Sequence, residues 1–541
     1  MKHLFRIYAG LCLALITVAC GEDVNDWGVD DSYARLFTPI SMSVVNQTAT
    51  TIQLQYEGVN DAEQYVFEFS GNGNQDFSNI IRTEVVLADT LKAYTKGNTP
   101  AKTKYRILFG DLYGQQSYSV RMKGVNKTKG LESHYISLAF ETKAEQIFEK
   151  ILARVDGAKI LWDASKTVTD LQIGRLEKNA DGAQDTTWIQ KVDISHITTG
   201  VYDLTSLTPG TKYVAKIYNH QILRGVTGFK TLGSAKSKVV HVSPNANVNL
   251  LLLQASGDDI TLTFDPGNTY ELGYVTVPTA IKHLYFAGYE EEGKMPLLHL
   301  SKVTLSAQMK TLNFSYVDID NQGKSTYLLQ LNTAFGIDDL SFENATVRNI
   351  KNSLLQVSRA DVKIGTVNIS DCLLNNIGYV DNGLIYVASA GAFETLAISN
   401  TTMVDMGKQL MDIRAYVDSI SIDQVTFYNS LEVRKPFDQF ARFGEKIKPR
   451  KMAVTNSIIA GPNGGVSMSA GMESYSFLSF SKSYLTSDLR VGAYPFTKAT
   501  LLEIPSNELF VDPANGDFHF RSSAKFEGDG KAGDRRWWTT E

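Results

Sequence analysis

The chain has 541 residues, with 53 Lys and Arg against 58 Asp and Glu, a formal charge of −5. That balance argues against general nucleic-acid binding, and the length is too great for one ordinary core, so several domains are expected. Only three cysteines occur, Cys12, Cys20 and Cys372.

The chain opens MKHLFRIYAGLCLALITVACGED. Lys2 and Arg6 precede an apolar run, Leu11 to Val18, too short to span a bilayer as a helix. Thr17-Val18-Ala19-Cys20 resembles a bacterial lipobox. That resemblance implies a signal peptide over 1–19, lipidation of Cys20 and an anchored linker over 20–36. Removal of Lys2 and Arg6 takes the charge to −5 − 2 = −7. Glu22, Asp23, Asp26, Asp30 and Asp31 resemble an export signal for the outer face of a Gram-negative outer membrane. Contact with the membrane would then run through the lipid alone. Cys372 stands alone in the mature chain, so no internal disulfide is expected.

Residues 37–145 and 146–236 read as two β modules. In the second, "LTSLTPGTKYVAKIYN" places Leu207, Pro209, Thr211 and Tyr213 in a pattern that resembles the tyrosine corner of fibronectin type III domains. Leu112 and Tyr118 keep the same six-residue spacing in the first. Trp162 and Tyr56 stand where such sandwiches bury an early-strand aromatic. Both modules are expected to be spacers.

From residue 237 to 525 the pattern changes. Seven segments begin at Leu312, Leu340, Val367, Leu396, Ile420, Met452 and Leu478, at intervals of 28, 27, 29, 24, 32 and 26 residues. Two places on, all are apolar (Phe314, Phe342, Ile369, Ile398, Ile422, Val454, Phe480). Five places on, all are small or medium (Val317, Ala345, Cys372, Thr401, Val425, Ser457, Ser483). Seven places on, all are apolar again (Ile319 through Leu485). Nine places on stand Asn321, Asn349, Asn376, Asp405, Asn429, Gly461 and Ser487, mostly residue types that tolerate left-handed turns. The inward steps of 2, 3 and 2 read as strand, bend, strand. Further apolar strands lie at 327–331, 353–357, 383–387 and 409–413, and Leu284 extends the register one coil upstream. The fold expected is all-β: two fibronectin type III-like sandwiches followed by a right-handed parallel β-helix, with a tail over 526–541.

"LLLLQASGDDITLTFDPGNTYEL" and "LFVDPANGDFHFRSSA" (509–524) are similar to the entry and closing segments of pectate-lyase-like β-helices. The whole layout resembles surface lipoproteins of polysaccharide-utilisation systems that end in a pectate-lyase-like domain of uncharacterised function. That resemblance implies binding of an anionic, pectin-like uronate polymer, with neighbouring glycan-uptake proteins as partners. The longest interval holds "RKPFDQFARFGEKIKPRK", residues 434–451, with seven Lys or Arg and two Asp or Glu. Cations pair with uronate carboxylates and aromatic rings stack on sugar faces. Arg434, Lys435, Phe437, Phe440, Arg442, Lys446, Lys448, Arg450 and Lys451 are therefore the glycan-binding candidates, with Phe443 among the rings; a solvated loop docked by its Phe residues is the plainer alternative. An enzyme alternative is a uronate lyase. Arg434 and Pro436 match half of a lyase Arg-x-Pro-x-x-Arg motif, in which Gln439 replaces the second Arg. Ca2+ would accompany such chemistry, with Asp318 and Asp320 as candidate ligands flanking the inward Ile319; a capped turn is the other reading of that pair. Otherwise no cofactor is expected. Asp371, Asp405, Asp412, Asp418 and Asp423 occupy different coil positions and define no hydrolase site. A third class is a structural or adhesion protein. The closing "GDRRWWTTE" is expected to pack onto the last coils.

Overall fold

Strict two-residue alternation makes one face of each early strand apolar. In the computed structural model, which describes residues 35–178, 182–388, 392–407, 409–429, 439–444, 449–462, 465–466, 477–491 and 499–539, those faces close two antiparallel sandwiches. The chain divides into two compact units: 1–147 with 167–170 and 216–226, and 148–166 with 171–215 and 227–541.

In the first sandwich, Met42–Gln47, Ile52–Glu57, Lys104–Phe109 and Ala93–Thr95 form one sheet. Ile80–Leu87, Gln64–Ser70, Ser117–Asn126, Leu131–Glu132 and Ile136–Glu141 form the other. Ile52, Leu54 and Tyr56 alternate into the core and meet Phe67, Phe69 and Phe109. Phe67 and Phe109 pack with ring centroids 5.0 Å apart. The Tyr118 hydroxyl accepts from the Tyr113 amide at 3.1 Å, as a tyrosine corner requires.

The second sandwich pairs the sheet of Phe148–Ala153, Ala158–Trp162 and Val201–Leu204 with that of Gln184–Asp193, Asp170–Lys178, Lys212–Asn219 and Ile222–Lys230. Trp162 is buried, and the Tyr213 hydroxyl accepts from the Thr208 amide at 3.0 Å. Its corner is the same device as in the first.

Beyond Lys238 the strands become parallel. Each coil supplies one strand to each of two or three sheets. In the first sheet, Leu284, Leu312, Leu340, Val367, Leu396, Ile420, Met452 and Leu478 are successive register partners. These are the positions that open each repeat in the sequence. The position two on builds an internal column, in which Phe286, Phe314 and Phe342 stack with centroids 4.7 and 4.9 Å apart, and Phe264, just past the preceding strand, stacks on Phe286 at 6.1 Å. Such offset stacking adds about 0.5–1.5 kcal/mol per pair to the burial itself. The third sheet runs Tyr327–Leu331, Ser353–Val357, Ile385–Val387, Gln409–Ile413, Gln439–Phe443.

Two bends turn each coil. The first places Tyr316, Asn344, Asp371, Asn400, Gln424, Asn456 and Lys482 in the left-handed region, at φ between 46 and 57°. The second uses Asn349, Asn376, Asp405, Asn429 and Gly461, as their residue types predict. Asn321 and Ser487 depart from that expectation. Gln322 takes the positive φ in the first coil, while the buried Asn321 amide donates to the Ser301 carbonyl at 2.5 Å.

Both ends of the coil are sealed. At the entry, the helix Val248–Gln254, capped by the Asn247 side chain, buries Val248 and Leu252 against the first coils. At the exit, the hairpin Phe510–Asp512 and Asp517–Phe520 forms an aromatic cluster with Tyr428, Tyr484 and Trp537. Among the described residues no helix is long and apolar enough to cross a membrane.

The second sandwich is not a detached spacer, contrary to expectation. Leu152, Ala153, Val155 and Leu232 share a core with Ala287 and Tyr316 of the coil. Lys150 pairs with Glu290 at 2.8 Å and Lys159 with Glu291 at 3.0 Å, and the Arg154 guanidinium lies 4.9 Å from the Tyr289 ring centroid. Apolar burial fixes this contact, since exposed ion pairs add little.

Candidate functional sites

One polar column runs up the outer face of the third sheet. Gln330, Gln356, Tyr386, Asp412 and Arg442 are successive register partners. Four strand spacings put its ends roughly 19 Å apart. Lys302 reaches the foot of the column, donating to Gln330 at 2.7 Å. Near its top the Asp412 side chain is sealed to 1 % exposure, with Arg414 Nη2 at 2.9 Å and Arg442 Nη1 at 3.6 Å. Arg414 also lies over the Tyr386 ring, 5.9 Å from its centroid. Asp412 thus fixes two guanidinium groups that stay 39 % and 47 % exposed.

Arg442 belongs to the basic stretch. Arg434, Lys435, Phe437, Lys446 and Lys448 lie outside the described residues. Arg450 is exposed and held by Asp418 at 2.6 Å, an arrangement that keeps that carboxyl below the usual carboxylate range, and Lys451 is exposed. Phe440 and Phe443 correct the sequence reading. Both point into the coil, Phe440 with no exposure and against Phe427, so neither ring is offered to a sugar. Their spacing follows the inward period of a strand rather than a display of rings. Cys20 lies outside the described residues.

Asp318 and Asp320 do flank the buried Ile319, and both turn to one cation. Arg348 on the next coil binds Asp318 and, at 3.2 Å, Asp320. Asp320 also accepts from the Asn349 side chain at 2.9 Å and the Gln322 amide at 2.8 Å. Burial pushes Asp318 upward. Burial acts on Asp320 as well, but the bonds from Asn349 and Gln322, with Arg348, outweigh it and leave Asp320 low. These carboxylates cap a turn. Among the described residues no group of three or more His, Cys, Asp or Glu side chains is gathered as for a metal ion.

A second feature was not legible as a site. A cleft of about 750 Å³ opens where the second sandwich meets the first bends of the coil and the C-terminal tail. Glu343 and Asp371 line it on the coil side, Lys150 and Lys230 on the sandwich side, and Arg535 on the tail. Asp371 accepts from Asn400 at 2.5 Å and Arg535 at 2.8 Å. Burial raises the Glu343 carboxyl, with Lys230 opposing and Asp339 and Asp371 adding to the rise. Burial likewise pushes the Tyr316 hydroxyl up to about 12. The signal in the sequence was faint: Glu343 has Ser315 and Ser370 as its register neighbours, but the same column holds a second acid, Asp423, farther along. Of the five Asp residues noted from sequence, Asp371 joins this cleft, Asp405 forms a second bend, Asp412 and Asp418 each hold arginines elsewhere, and Asp423 accepts from Thr455 and Asn456.

Residues 268–406 match the family model described as "Domain of unknown function (DUF4957)". That segment carries Glu343, Asp371 and the lower three members of the third-sheet column, and it ends before Asp412. No curated protein matches the chain. Among solved structures, a two-domain fibronectin type III segment of chicken tenascin is 14 % identical, over 36 % of this chain and 99 % of its own, with a TM-score of 0.24. The FN1–FN3 domains of chicken CNTN1 are 13 % identical, over 36 % of this chain and 67 % of their own, with a TM-score of 0.14. The fold itself rests on the strand order and corners above.

Proposed function

We propose that this is a lipid-anchored protein of the outer-membrane surface that captures an anionic, pectin-like polysaccharide along the third sheet of its helix, beside neighbouring glycan-uptake proteins. The observation that carries the reading is the Asp412 clamp. A buried carboxylate holds Arg414 and Arg442 side by side at the head of a polar column, and Arg442 itself belongs to the basic stretch. Guanidinium groups pre-positioned in this way lose little entropy on meeting successive carboxylates of an extended polymer. The half-buried Gln330 and Tyr386 add an amide and a phenol for sugar hydroxyls. The test is electrophoresis of the full chain through gels containing polygalacturonate or other uronate polymers, with and without Ca2+, while ultraviolet absorbance reports unsaturated products. Retardation without absorbance supports capture. Rising absorbance makes the protein a lyase and directs attention to Arg434. Neither signal leaves an adhesion role and removes the acidic-glycan reading.

A further inference from the structure

The cleft beside Glu343 differs in chemistry from the third-sheet column. Four acidic and four basic side chains line it. Two of each neutralise one another within the wall: Lys150 with Glu290 at 2.8 Å and Arg535 with Asp371 at 2.8 Å. Arg536 is held in turn by Asp534 at 2.7 Å, so the lining charges left are Glu149, Glu343 and Lys230. A polyanion would face the two carboxylates and a polycation the Lys230 ammonium, and neither fits a wall of mixed sign. The Glu343 carboxyl is largely withdrawn from water, and among the described residues it receives no hydrogen bond. Lys230 is the cation whose field reaches it. A withdrawn carboxyl without a bonded donor is costly unless a ligand completes it. The apolar part of the wall includes the half-buried Phe229 ring beside these polar groups.

We infer that this cleft binds a neutral, polyhydroxylated ligand, a saccharide segment whose hydroxyls bond the Glu343 carboxyl, Lys230 and Arg535. Hydroxyl groups both donate and accept, so one ligand meets the carboxyl and the cations without a net charge of its own. The walls come from the sandwich, the coil and the tail, and the docked second sandwich is therefore part of the site. This inference is independent of the third-sheet reading.

The test is calorimetric titration of the full chain with neutral hexasaccharides: β-1,4-glucan, β-1,4-xylan, β-1,4-mannan and α-1,4-glucan. At least one is expected to saturate a single site, with the same Kd at low and high salt. Glu343→Gln and Lys230→Met are each expected to weaken it about tenfold or more. Arg442→Ala should leave it unchanged. Glu343→Gln is isosteric and Lys230 is exposed, so a single cooperative thermal transition in each variant shows that both fold. Failure of all four sugars to bind overturns the inference, as does binding indifferent to both variants or binding that collapses with salt. The third-sheet reading fails separately, through polygalacturonate binding that survives Arg414→Ala with Arg442→Ala.

Discussion

Cys372 shows how much one position in a coil constrains its residue. It is fully buried, its thiol reaches the Ser370 carbonyl at 3.2 Å, and burial pushes it up to about 12. In a Cys12→Ser, Cys20→Ser background, a thiol reagent at pH 8 should leave the folded protein unmodified and label it fully in denaturant. Rapid labelling of the folded chain would contradict this placement. Phe314 lies between two stacked rings inside the coil, and Phe314→Ala should cost about 3–5 kcal/mol in equilibrium unfolding. Glu343 gives a pH dependence of definite sign. Its carboxyl is raised in the fold, so the native chain binds more protons than the unfolded chain. That contribution is complete below the ordinary glutamate range and is lost as pH rises through the folded value. The Glu343→Gln variant has no such loss. Its thermal midpoint should therefore gain on the parent as pH rises from about 4 to 7; a constant difference would show that the carboxyl is not withdrawn. At this scale the inward residues were readable in advance, because apolar identity repeats at fixed offsets. The outward ones were not. Nothing in the sequence distinguishes Asp412, which clamps two arginines, from Asp423, which bonds Thr455 and Asn456.

At the scale of elements, the bends repay attention. The second bend announced itself through Asn and Gly. The first did not, because Tyr316, Gln424 and Lys482 share its left-handed conformation with Asn and Asp. The stacked register dictates the backbone there, and propensity only assists. The tail was legible as a packing element but not in its path. Gly533 donates to the Asn456 carbonyl, Asp534 accepts from Thr402 at 2.8 Å, and Arg535 and Arg536 reach Asp371 and the Cys372 carbonyl. The tail thus runs back down the coils as a strap, and the buried Asp534 is its pin. Asp534→Ala leaves the Thr402 hydroxyl and the Arg536 amide without their acceptor. It should lower stability by about 1–3 kcal/mol and hasten amide exchange over 533–538. Unchanged exchange would mean that the strap is held by Trp537 and Trp538 alone.

At the scale of the molecule, the modular order followed from the sequence because each module has its own signature: paired tyrosine corners, then a repeat of 24–32 residues. The docking of the second sandwich did not. Its contact residues, Leu152, Leu232 and Tyr316, look in sequence like ordinary core positions, and only the fold shows that they meet. The same holds for the central claim. The basic stretch drew attention by charge, yet the two cations gathered on Asp412 are Arg414, outside that stretch, and Arg442, within it. The most direct test measures polygalacturonate affinity of the full chain at low and at physiological salt, for the parent and for Arg414→Ala with Arg442→Ala. Capture by the third sheet predicts binding that weakens steeply with salt and falls at least about tenfold in the double variant. Equal affinity in parent and variant, or affinity indifferent to salt, would contradict capture by the third sheet.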